Sequence, residues 1–87
     1  MKTSVILGSE NDEALQATLL AVLREMGAEL KPAKWAVAGS QEVVTRRATL
    51  NGKPLKLEAE TYVGLSVSGD QDTVKMVAER VRSRLSA

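Results

Sequence analysis

The five residues Gly8-Ser9-Glu10-Asn11-Asp12 are the part of this chain whose types and spacing come nearest to chemistry. They follow a short apolar run, Ser4 to Leu7, and precede an amphipathic pattern, which places them at a strand-to-helix junction. A glycine there lets a ligand approach the backbone, and the first turn of a helix offers N–H groups with no intrahelical partner. Gly8, Ser9 and Asn11 are the candidate ligand-binding residues, and the ligand would be a phosphorylated small molecule. The same residues also read as a plain helix start. Ser9 and Asp12 have the spacing of a capping box, and acids in a first turn oppose the helix dipole. That capping role carries more weight, because every helix needs a start.

Gly8, Ser9 and Asp12 give the junction a local likeness to a known site. It resembles the phosphate-binding start of the purine-biosynthetic carboxyaminoimidazole ribonucleotide mutases, where a strand, a Gly-Ser-x-Ser-Asp turn and a helix follow one another. The resemblance covers the first quarter of the chain and implies an anion at the turn. Asn11 stands where the family has its second serine, and the family's later histidine has no counterpart here. The strand-rich region after Trp35 also differs from that family's doubly wound fold.

A second group is basic. Arg46, Arg47, Lys53 and Lys56 lie on two extended runs joined by Asn51-Gly52, with Lys31 and Lys34 upstream. A positively charged hairpin can follow a phosphate backbone or enter a groove. Glu42, Glu58 and Glu60 interleave with these cations, and Tyr62 is the one ring placed to stack on a base. Arg46, Arg47, Lys53, Lys56 and Tyr62 are therefore candidate contacts for nucleic acid or a protein partner. A solvated edge charged against aggregation is the plainer explanation of them. Trp35, alternating with Val37, is expected in the core beneath the helices rather than at an interface.

The pairs Asp70/Asp72 and Glu58/Glu60 could hold Mg²⁺ only if helix-start and strand-surface roles did not already explain them. The chain has neither cysteine nor histidine, which removes disulfides, thiolate nucleophiles and the commonest general base and zinc ligand. No catalytic residue, metal ligand or cofactor is predicted. A net charge of +1 argues against a strong one-sided field toward polyanions or membranes. No apolar run approaches the roughly 18 residues of a membrane span, so a cytoplasmic protein without membrane contact is expected.

The elements that position these residues come from periodicity. Leu15, Leu19, Val22, Leu23 and Met26 form one stripe of a helix over about 10–26, ended by Gly27. Strands follow around Trp35–Val37 and over 42–50, with Val44, Ala48 and Leu50 inward. Asn51-Gly52 marks a hairpin. A two-residue loop would set Arg47 opposite Lys56, and a four-residue loop would set it opposite Glu58; the charges favour the wider loop. Leu55, Leu57, Ala59, Thr61, Val63, Leu65 and Val67 alternate with polar or small residues, predicting one long strand or two collinear ones. A final helix over about 70–85 carries Val74, Val77, Ala78, Val81 and Leu85 inward.

Residues 1–87 thus read as a single compact domain of α+β class. The expected architecture is a two-layer α/β sandwich in the order β-α-β-β-β-α. Its sheet is mixed and mostly antiparallel, with a parallel crossover from the first strand and both helices on one face. The function expected of such an object is a non-catalytic protein-interaction or self-associating module, working through a strand edge or the open sheet face. Nucleic-acid binding at the basic hairpin and phosphate-ligand binding at the Gly8–Asn11 turn are the alternatives.

Overall fold

The computed structural model describes residues 1–86, the side chain of Ala38 excepted. The chain runs β1 (Lys2–Gly8), α1 (Glu13–Glu25), β2 (Glu29–Leu30), β3 (Lys34–Ala38), β4 (Gln41–Leu50), β5 (Lys53–Glu60), β6 (Gly64–Asp70) and α2 (Gln71–Ser86). The six strands form one sheet in the order β1-β6-β5-β4-β2, with β3 also paired to β4. Both helices pack on one face of it, giving the two-layer α+β sandwich. No helix among the described residues is long and apolar enough to cross a membrane.

Periodicity accounts for the layers. Leu15, Leu19, Val22 and Leu23 of α1 and Val74, Val77 and Val81 of α2 meet Ala48, Leu50, Leu55, Leu57, Leu65 and Val67 from the sheet. Burying each such valine or leucine contributes roughly 1.5–3 kcal/mol of transfer free energy. The alternate positions of the same strands, among them Arg47, Thr49, Lys56 and Glu58, form the opposite, uncovered face. Asp12 caps α1 by accepting from Leu15 N at 2.9 Å. Asp70 does the same for α2, accepting from Thr73 N at 3.1 Å and from its hydroxyl at 2.9 Å. The capping box expected from Ser9 does not form, since α1 starts at Glu13 with Asp12 as its cap.

Three details differ from the expectation. The alternation from Leu55 to Val67 is neither one strand nor two collinear ones. It reverses at Thr61-Tyr62-Val63, where Tyr62 (φ 67°) and Gly64 (φ 121°) take positive φ, and β6 returns antiparallel to β5. Leu57 then stands opposite Val67 and Ala59 opposite Leu65. A three-residue loop between Glu60 and Gly64 preserves parity, so a period-two pattern passes through the turn unchanged.

Secondly, β1 pairs with β6, and every ladder is antiparallel where a mixed sheet was expected. The β1-α1-β2 connection crosses β6, β5 and β4 to reach the far side rather than joining neighbours.

Thirdly, the hairpin takes the two-residue loop. Leu50 pairs with Lys53 and Arg47 with Lys56, while Asn51 (φ 51°) and Gly52 (φ 77°) supply the two positive φ angles of a type I′ turn. The turn's match to strand twist outweighs the few tenths of a kcal/mol at stake in one charge pair. Lys56 is also relieved by Glu58, 3.1 Å away on its own strand.

Candidate functional site

The Gly8–Asp12 junction is occupied by its own atoms. Ser9 Oγ accepts from Asn11 N at 3.2 Å, and Ser9 O accepts from Asp12 N at 3.2 Å, closing a local turn. A Cβ at Gly8 would lie 2.7 Å from Leu15 Cδ2, so the glycine lets the buried Leu15 pack against the strand end. Asp12 already accepts from the helix N-terminus, with Glu13 in its first turn. Glu10 turns toward the β5–β6 loop, its carboxylate 3.4 Å from Tyr62 N. Carboxylates therefore surround the place where a phosphate would sit, and like charges oppose its entry. Gly8, Ser9 and Asn11 do form one continuous turn, as their spacing suggested, but the Asn11 and Asp12 N–H groups are spent on Ser9.

The basic group is divided by the pleat. Arg46 lies on the helix-side face opposite Leu57 and donates to Lys31 O at 3.1 Å. Arg47 and Lys56 stand side by side on the uncovered face. Lys53 sits at the hairpin tip, close enough to Asp70 to help hold its carboxyl below the usual range, after the two bonds from Thr73. Tyr62 is at the far end of β5 from that tip and 83% exposed. Of the five candidate contacts, the fold brings together only Arg47 and Lys56.

Trp35 falls where sequence reasoning did not place it. Its register opposite Val44 turns it to the helix side of the sheet, yet it is 64% exposed, and Val37 is 52% exposed. The cause is one of width. Two packed helices, with axes 8–10 Å apart, cover roughly 20 Å, whereas five strands side by side at about 4.8 Å span roughly 24 Å with their side chains. The α2 helix lies over β1 and β6, α1 packs beside it, and β3 is the strand left over. A cleft of about 90 Å³ opens along the uncovered flank of α1, lined by Leu20, Ala33, Val44, Leu57 and Ala59 together with Gln16 and Arg46. Trp35 Nε1 lies 3.5 Å from a carboxylate oxygen of Glu42, an exposed and weak tether.

The outer side of β3 pairs with no strand among the described residues, and its register against β4 is unbroken from Lys34 to Ala38. Pro32 and the lysines at 31 and 34 are the residues in the sequence that could have marked an edge here. Compared with family models, curated proteins and solved structures, the chain matches none.

Proposed function

We propose that this chain is a non-catalytic protein-binding module that receives an extended segment of its partner along β3. One observation carries the reading: a straight, unpaired edge strand bears the only tryptophan of the chain, largely exposed, with an exposed valine two residues on. Strand addition supplies main-chain hydrogen bonds, while alternate side chains of the added strand meet Trp35 and Val37 on one face. Tryptophan is the residue type most often found to dominate binding energy at such surfaces, because it covers 150–250 Å² at low entropic cost. The partner is a protein, whether another chain or a second copy of this one.

Site-specific photo-crosslinking in cells tests the reading. With benzoylphenylalanine at position 37, protein adducts are expected that weaken when Trp35→Lys is added. The same probe at position 6, on the opposite edge, is expected to give few. Equal labelling from both positions, or none from position 37, would remove β3 as the binding edge.

A further inference from the structure

Arg47 stands directly opposite Lys56 on the uncovered face of the sheet. Like charges facing across a ladder are unfavourable, and Glu58 offsets only the Lys56 side of this pair. The same cross-strand row continues through Ser68 on β6 to Ser4 on β1, whose hydroxyls are 2.9 Å apart. Four strands thus present guanidinium, ammonium and two hydroxyls in line. Shallow depressions of about 430 and 480 Å³ lie on the two sides of Arg47. Lys2, Lys56 and Arg47 line the first, Lys31, Lys34 and Arg47 the second, and neither is lined by an acidic residue.

We infer that this face is a second binding site, for the phosphate backbone of single-stranded nucleic acid, laid across the strands from Lys34 through Arg47 and Lys56 to Lys2. The overall charge is +1, and the cations concentrate in the two acid-free depressions either side of Arg47. Glu10, Asp12, Glu13, Glu25, Asp72 and Glu79 belong to the helices or the turn leading into α1, while Glu29, Glu58, Glu60 and Asp70 share this face beside the basic row. Lys31 and Lys56 have partners in Glu29 at 3.6 Å and Glu58 at 3.1 Å, exposed or half-exposed pairs that salt and competing phosphates loosen. Lys2, Lys34 and Arg47 make no ion pair among the described residues. From β3 to β1 the row spans four strand spacings, about 19 Å, enough for several phosphates of a strand lying flat.

The face carries no aromatic residue, so it holds backbone without reading bases. A broad sheet does not enter a duplex groove, which admits a helix or a two-stranded ribbon. The site lies on the opposite face of the sheet from Trp35 and Val37, sharing only Lys34 and its strand with the β3 edge.

Fluorescence anisotropy with a labelled oligo-dT and its matched duplex tests the inference. With about four phosphates engaged, the single-strand affinity falls with a log–log salt slope near −3, about fiftyfold between roughly 50 and 200 mM salt. Arg47→Gln with Lys56→Gln is expected to flatten that slope by about 1.4 and Lys34→Gln alone by about 0.7, each ammonium or guanidinium releasing fewer counterions. Arg80→Gln with Arg82→Gln, removing the same charge from α2, is expected to leave it unchanged. Should the first double variant unfold, Lys34→Gln, at an exposed and unpaired position, carries the test alone. Absence of binding at the lower salt, tighter binding to the duplex, or equal losses from the α2 pair would overturn the inference.

Discussion

The two edges of the sheet are built differently, and the proposed function rests on that contrast. At the β1 edge the ladder slips between Ile6 and Gly8, Lys2 occupies the strand start, and α2 lies against the strand. The chain is also tied there by a hydrogen bond from Gln71 N to Met1 O at 2.9 Å. Ile6 is 56% exposed, but the bulge beside it breaks the straight row of donors and acceptors that an incoming strand needs. The β3 edge has no such slip, no helix above it and two large apolar side chains in the open. One edge is closed by a bulge and a helix, and the other carries only Lys31, Pro32 and Lys34 at its start.

If the β1 side is structural and the β3 side is not, substitutions should sort accordingly. The largest stability effect is expected at Gly64. A Cβ there would stand 2.5 Å from Gly8 O, at a φ of 121° that side chains rarely adopt. Gly64→Ala should cost about 3 kcal/mol or more, read as a fall in the urea midpoint. A variant as stable as the parent would show that β1 and the β5–β6 loop are not packed as described.

At the other edge the signature reverses. Trp35→Lys should change stability by no more than about 0.5 kcal/mol, yet weaken partner binding by about 2 kcal/mol, near thirtyfold. A large loss of stability instead would mean that Trp35 is core.

The junction between β1 and α1 sharpens the contrast further. Asp12→Ala should lower stability by about 1 kcal/mol, the ordinary price of a lost cap. Inorganic phosphate should not raise the melting temperature of the parent protein; a clear rise would restore the turn as an anion site.

The smallest expected effect is in acid. Asp70, bonded by the Thr73 hydroxyl and N–H, and Glu25, bonded by Arg84, both have carboxyls held below their usual range. A depressed folded value means that the unfolded chain takes up protons first. The contribution of each group is complete above the ordinary carboxylate range and disappears as pH falls through the depressed value. Melting temperature followed downward from about pH 6 should therefore decline in acid, less steeply for Asp70→Asn with Glu25→Gln. An unchanged profile in that variant would contradict the assignment.

Much of this fold was legible in the residues. Leu15, Leu19, Val22 and Leu23 marked α1, Asn51-Gly52 marked the hairpin, and the inward parity of Leu55, Leu57, Leu65 and Val67 held. What escaped was long-range or combinatorial. An odd-numbered loop hid the reversal at Tyr62, because parity is blind to direction. The partner of β1 is set by how α2 folds back, which no local pattern encodes. Charge pairing favoured the wrong hairpin register, being a weaker term than turn geometry.

The candidate site was less legible than the fold. The pleat separated Arg46 from Arg47, which adjacency in sequence made look like one cluster. Alternation told which face Trp35 would take but not whether a helix would reach it.

Trp35, the only tryptophan, is therefore both the residue most misjudged from sequence and a built-in reporter. Acrylamide quenching of its emission, measured on dilute purified protein, tests the bare β3 edge most directly. Water-like emission quenched nearly as readily as free indole is the expected result, with shielding appearing only when a partner is bound. Blue-shifted emission resistant to quencher in the dilute chain would put the indole beneath a helix and contradict the account.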